Sequence, residues 1–330
     1  MMIMNTRRGV HVFSILIKDI AMVCAVLVVF ALFHHVLPMP ANAMSTIVTL
    51  DDPFPADKMS GSEVATTTQP VESAMPEPEP TYSPGDFTAV FPQTDTGAGA
   101  LHSYQSDTLR IAINMVQANE VTYYVADVWV KDISAFKTAF AKDQYGTGIH
   151  AQPAETAQKN GAIFAISGDY YGARNEGVVI RNGKLYRDSV NSDVCVLYVD
   201  GTMETYAAQE FNMQDVIARG AWQAWGFGPK LLDDDGQPIT EFSSAIKGKN
   251  PRNAMGYYEP GHYCFITVDG RQTGYSVGMT LAELSQVFSD LGCKAAFNLD
   301  GGATAEMIFQ GQLVNKPYKG GRQSSDIICF

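Results

Sequence analysis

Two apolar runs in this chain end in an aspartate followed by glycine: Val268-Asp269-Gly270-Arg271 and Leu299-Asp300-Gly301-Gly302. An Asp-Gly pair alone is a turn, and Asp200-Gly201 and Asp235-Gly236 read as nothing more. Arg271 beside the first acid sets it apart, as a second glycine and Thr304 do for the other. Carboxylates brought to one sheet edge can serve as acid, base or nucleophile, and paired glycines let a ligand approach backbone N–H groups that cradle an anion. Arg252 after Pro251 and Arg322 in Lys319-Gly320-Gly321-Arg322 add guanidinium groups suited to bidentate contact with phosphate or carboxylate. Taken singly, each arginine is more often a surface ion-pair partner.

Gly274-Tyr275-Ser276-Val277-Gly278 matches the G-x-S-x-G nucleophile elbow and raises a competing reading, a serine esterase built on Ser276. The order opposes it. An α/β-hydrolase places its histidine after the serine, whereas the last histidine here is His262, and Asp269 to Gly274 separates the serine from the preceding apolar run. Metal motifs are thin: there is no H-E-x-x-H, the six histidines are scattered or lie near the N-terminus, and Asp233-Asp234-Asp235-Gly236 lacks the spacing of an EF-hand loop. The sequence requires no cofactor; a divalent cation is possible but unsupported, and the metal requirement stays open. Neither a P-loop nor a dinucleotide fingerprint occurs.

The elements that must position these residues follow from periodicity. Leu109–Val116 and Val121–Val130 alternate as a hairpin, and Asn182-Gly183 and Asp200-Gly201 each sit between short strand patterns. Helical patterns are expected around Ala135–Ala141 and Ala154–Lys159, with a buried strand at Ala162–Ile166. Thr280-Leu281-Ala282-Glu283 is a capping box opening a helix whose stripe is Leu281, Leu284, Val287, Phe288 and Leu291. Apolar strands at Tyr263–Val268 and Lys294–Leu299 flank it; as parallel neighbours they would deliver Asp269 and Asp300 to one edge, where open sheets place their ligands. The expected class is α+β, a single domain with a mixed sheet and a few packed helices.

Upstream, Arg7, Arg8 and Lys18 precede an uncharged run from Ile20 to Phe33 that His34-His35-Val36-Leu37 extends toward spanning length. The basic residues should stay inside and send the rest of the chain outward. Ala41-Asn42-Ala43 offers a signal-peptidase site. Retention gives a single-pass membrane protein with its C-terminal domain outside; cleavage after Ala43 gives a secreted one. From Ser45 to about Ala100 the chain is rich in Pro, Ser, Thr and acids, with Pro76-Glu77-Pro78-Glu79-Pro80 as its clearest repeat, and reads as a disordered spacer. Residues 1–44, 45–100 and 101–330 are thus the expected signal or anchor, linker and folded domain. The net charge is −12 and no basic stripe is present, which argues against nucleic acid as a partner. The domain's four cysteines lie in or beside apolar runs without C-x-x-C spacing, so buried thiols and disulfides both remain open.

Asn250-Pro251-Arg252-Asn253-Ala254-Met255-Gly256, the Asp269 motif, Ser276-Val277-Gly278-Met279-Thr280-Leu281-Ala282-Glu283-Leu284, Asn298-Leu299-Asp300-Gly301-Gly302-Ala303-Thr304 and Val314-Asn315-Lys316-Pro317, taken in order, resemble the phosphodiester glycosidase family. The likeness spans roughly Ala162–Phe330, and Gly228-Pro229-Lys230 also fits. Ser167-Gly168-Asp169-Tyr170-Tyr171 departs from the family's usual Asn-Gly-Gly-Phe-Phe, so sugar specificity does not carry over. The family includes an activity that removes N-acetylglucosamine from a phosphodiester on mannose 6-phosphate, and bacterial exopolysaccharide-related members. The resemblance implies hydrolysis of a sugar-1-phosphodiester in a cell-envelope or exopolysaccharide glycan, on a phosphoglycan or a small substrate like a nucleotide sugar. In that reading Asp300 and Asp269 are the catalytic carboxylates, with Glu306 or Asp169 in reserve. Arg252, Arg271 and Arg322 surround the phosphate, and Ser276, Thr304 and the Gly301-Gly302 backbone position the substrate. The alternative from another class is a non-catalytic envelope protein that binds glycans in the same cleft.

Overall fold

The computed structural model describes residues 45–46, 85–94 and 96–330, with 45–46 described as backbone only. The membrane segment and most of the spacer expected from the sequence lie outside the described residues. Among the described residues, no helix is long and apolar enough to cross a membrane.

Three sheets build the body. The central one runs Ala295–Asn298, Arg252–Glu259, His262–Val268, Val121–Val130, Leu109–Ala118 and His102–Gln105. A second holds Gln312–Leu313, Met307–Phe309, Phe164–Ser167, Asp326–Cys329 and Lys137–Phe140. The third holds Ser45–Thr46, Lys184–Arg187, Val179–Arg181, Ala221–Trp225, Val194–Tyr198 and Met203–Tyr206. One cluster draws Ile111, Phe265 and Phe297 from the central sheet, Phe164 and Ile328 from the second, and Leu197 and Trp225 from the third. Phe136 sits among them, edge-on to Tyr263 at 5.1 Å. Fully burying one such ring contributes about 1.5–3 kcal/mol. The folded body extends upstream of Leu101, since Phe87 and Phe91 are buried.

Alternation and turn chemistry explain most elements. Leu109–Ala118 and Val121–Val130 form the expected hairpin, closed by Asn119 and Glu120, both at positive φ. Asn182-Gly183 likewise closes Val179–Arg181 onto Lys184–Arg187. The Thr280 capping box is complete: its hydroxyl accepts from Glu283 N at 3.1 Å, and the Glu283 carboxylate accepts from Thr280 N at 2.7 Å. The helix Leu281–Asp290 lays Leu281, Leu284 and Phe288 on Ala254, Cys264 and Ile266 of the central sheet. The helical pattern over Ala135–Ala141 is not realised. Lys137–Phe140 is a strand beside Asp326–Cys329, because a run this short takes its form from an available sheet edge. Cys195, Cys264, Cys293 and Cys329 are buried free thiols.

The strands that carry the two acids are not neighbours. Arg252–Glu259 lies between them and pairs antiparallel with both, so His262–Val268 and Ala295–Asn298 run in the same direction, one strand apart. Asp269 and Asp300 therefore leave the sheet at the same edge, separated by the Pro251–Arg252 entry to the middle strand.

Candidate active site

Asp300 is 8% exposed, and its carboxyl has two unlike sides. Oδ2 accepts the Thr304 hydroxyl at 2.6 Å and an Arg322 guanidinium N–H at 3.3 Å. No donor among the described residues reaches Oδ1. Burial, with the Asp169 charge added, pushes the Asp300 pKa up to about 6 against the pull of Thr304 and Arg322.

Glu306 is 5% exposed and accepts one hydrogen bond, from Arg322 N to Oε1 at 3.1 Å. Burial raises its pKa to about 7, opposed only by that backbone amide. Arg322 thus touches both acids, one through its guanidinium and the other through its backbone. Its side chain is 48% exposed and lies over the Tyr170 ring at 5.3 Å. Gly321 makes the approach to Glu306 possible: its φ is 94°, and a Cβ there would stand 2.2 Å from Glu306 Oε1.

Asp269 does a different job from the one expected. It is fully buried, and its carboxylate accepts three donors: Asn315 Nδ2 at 2.8 Å, Tyr275 OH at 2.8 Å and Lys316 N at 3.0 Å. Burial still raises its pKa, but no oxygen is left for substrate. Asn315 in turn donates to Ala305 O at 2.9 Å and accepts from Met307 N at 2.9 Å. Asp269 therefore fixes both neighbours of Glu306 and is a positioning residue.

Four further expectations are corrected by the same accounting. Asp169 is buried with both oxygens occupied, by Arg181 at 2.9 Å, Tyr171 N at 3.2 Å and Gly226 N at 3.1 Å. Arg252 is buried and gives its guanidinium to the carbonyls of Met279, Ile246 and Gly248; burial and the nearby Arg271 charge lower its pKa to about 10. It ties the Ile246–Gly248 loop to the sheet and is not offered to a phosphate. Ser276 is buried, with its hydroxyl donating to Asp269 O at 2.6 Å and accepting Thr122 N at 3.0 Å, which removes the esterase nucleophile. Gly302 donates its amide to Pro251 O at 3.0 Å, so that N–H cannot cradle an anion; at Gly301 a Cβ would stand 2.5 Å from the same carbonyl, but its amide has no hydrogen-bond partner among the described residues and stays open to that role.

Arg271 stays at the site. It is exposed and held by two N–H donations to Asn250 Oδ1, at 3.1 and 2.6 Å, with its guanidinium over Tyr318 at 5.6 Å. The Gly302–Thr304 and Tyr318–Gly320 turns pack on each other, which brings Tyr318 and Lys319 to the same rim. Sequence reasoning gave no role to Tyr170, Tyr318, Asn315 or Lys316; the signal for Asn315 was its place in Val314-Asn315-Lys316-Pro317. A cleft of about 520 Å³ opens nearby between Phe227 and Phe242, with Asp193 and Ser244 on its walls. Its wall is tied to the strand that leads into Asp300 by Asn298, which donates to Gly228 O at 2.9 Å, and neither acid lines it. Among the described residues, no cluster of three or more His, Cys, Asp and Glu side chains is arranged to hold a metal ion.

Comparison with known proteins gives this geometry a context. A family model described as phosphodiester glycosidase matches residues 160–330. The SPbeta prophage-derived uncharacterized protein YomE of Bacillus subtilis (strain 168) is 29% identical over 218 residues, which cover 59% of this chain and 34% of that protein. The chain thus spans about a third of that relative's length. Among solved structures, the catalytic domain of zebrafish N-acetylglucosamine-1-phosphodiester alpha-N-acetylglucosaminidase, auto-inhibited by its pro-peptide, superposes with a TM-score of 0.54 at 20% identity, over 70% of this chain and 85% of that one. A hypothetical protein from Synechocystis superposes with a TM-score of 0.53 at 16% identity, over 70% and 64%. At these identities the likeness is one of fold.

Proposed function

The chain belongs to the phosphodiester glycosidase family, and from that premise we propose that it is an extracytoplasmic hydrolase of sugar-1-phosphodiesters in a cell-envelope or exopolysaccharide glycan. The observation that carries the reading is the pair Asp300 and Glu306, two buried acids with raised pKa values joined through Arg322. Unequal carboxyl pKa values divide acid from base. Near neutral pH, Asp300 at about 6 is mostly ionised while Glu306 at about 7 is still substantially protonated. Asp300 Oδ1 faces the anomeric carbon, as nucleophile or as base for a water. Glu306 delivers its proton to the leaving phosphate.

The bond that breaks is the anomeric C1–O bond; its electron pair leaves on the phosphate monoester, whose charge Arg322 and Arg271 offset. Thr304 holds Asp300 in its rotamer, and Asp269 holds the Glu306 segment through Asn315. Arg7, Arg8 and Lys18 ahead of the Ile20–Leu37 run support a domain outside the membrane, anchored by that run or secreted after cleavage at Ala43.

Hydrolysis in ¹⁸O-labelled water tests the bond assignment. The label enters the released sugar if C1–O is cleaved. Label in the phosphate would mean cleavage at phosphorus and would overturn the glycosidase reading.

A further inference from the structure

Arg322 and Arg271 suffice for the phosphate of one scissile diester, yet the rim carries more cations than that. Lys316 and Lys319 are exposed on the loop that packs against Gly302–Thr304. Lys319 Nζ lies 5.4 Å from the centroid of Tyr318, the ring that Arg271 also faces, and Lys316 Nζ lies 4.8 Å from that of Tyr275. The loop is fixed: Lys316 N donates to Asp269, and Lys316 O accepts Gln272 Nε2 at 2.8 Å. Among the described residues, Arg271, Lys316 and Lys319 form no salt bridge. Arg271 and Lys319 share the Tyr318 ring without an ion pair and repel each other, while Lys316 is drawn toward the Asp269 charge, so that in a chain of net charge −12 the rim keeps a local positive field. A second anion of the substrate relieves that repulsion.

We propose that Lys316 and Lys319, with Tyr318 beside Lys319 on the same rim, form a subsite for a second phosphate of the same substrate. The natural substrate is then a glycan whose phosphodiesters repeat along the chain, and the enzyme prefers it to an isolated sugar phosphodiester. The inference rests on Asp300 and Glu306 marking the scissile bond.

The full-length protein is tested on methyl phospho-N-acetylglucosamine and on a synthetic tetramer of N-acetylglucosamine joined through phosphodiesters. Hydrolysis is followed in the wild type, Lys316→Ala/Lys319→Ala and Lys316→Arg/Lys319→Arg. Binding of both probes to Asp300→Asn is measured in parallel. The wild type should favour the tetramer in kcat/KM by about 10-fold or more, with a steeper loss in added salt. The preference should fall to about 2-fold in the alanine pair and return in the arginine pair. Equal turnover of monomer and tetramer, or a preference that survives in the alanine pair, overturns the subsite. Binding of tetramer over monomer by Asp300→Asn, with hydrolysis of neither by the wild type, would support the subsite and overturn the hydrolase reading alone.

Discussion

Asn315 donates its side-chain amide to the Asp269 carboxylate at 2.8 Å, and the same residue bonds the backbone of Ala305 and Met307 on either side of Glu306. The acid of one motif thereby sets the position of the acid in another. Asp269→Asn puts an amide N–H against a donor, either Asn315 or the Tyr275–Lys316 pair. It should lower kcat/KM by about 10-fold, against about 1,000-fold or more for Asp300→Asn. A loosened loop admits water to Glu306, relieves the burial that raises its pKa, and should move the basic limb of the pH–rate profile to lower pH. A kcat/KM loss with that limb unmoved would reduce Asp269 to a purely structural role.

The pH dependence of the wild type follows from the same two acids. Activity needs Asp300 ionised and Glu306 protonated, so kcat/KM should rise through about pH 6 and fall through about pH 7. The profile should be a narrow bell centred between them. A plateau extending to pH 9 would exclude Glu306 as the proton donor.

Stability should run against activity at these acids. The folded pKa of Glu306, about 7, exceeds its ordinary 4.5, and that of Asp300, about 6, exceeds 3.8. The folded state then binds more protons than the unfolded one between those values, and stability from these groups falls as pH rises from about 4 to about 7. Glu306→Gln removes the buried charge, so it should melt higher than the wild type at pH 8, by about 1–3 kcal/mol, while losing activity. At pH 4.5 the difference should vanish. A variant that melts lower than the wild type at pH 8 would show that the Glu306 charge is stabilised in the fold.

Much of this was legible in the sequence, for identifiable reasons. Asn182-Gly183 and the Thr280 capping box are local signals, and each forms what its residues dictate. Asp300, Arg271, Arg322 and Thr304 could be named because motif and order single them out, whereas Glu306, outside those motifs, entered only as a reserve acid beside Asp169. What sequence could not supply was occupancy. Asp269 and Asp300 both end apolar strands in Asp-Gly, and only the hydrogen-bond partners show that Asp269 is saturated while Asp300 keeps Oδ1 open. Arg252 and Ser276 sit in motifs as telling as Arg271's, yet both are consumed by backbone groups brought from 4 to 154 residues away. The 135–141 segment failed for a related reason: its partner is the C-terminal strand, nearly 190 residues on, and no local pattern reports that edge.

The role proposed for Asp300 is on the anomeric carbon of a sugar-1-phosphodiester. The most direct measurement is release of free sugar from methyl phospho-N-acetylglucosamine and a panel of related sugar phosphodiesters at pH 6.5, by the wild type and by Asp300→Asn with its fold checked by melting. Release by the wild type should fall by about 1,000-fold or more in a folded Asp300→Asn. Undiminished release by that variant would contradict it.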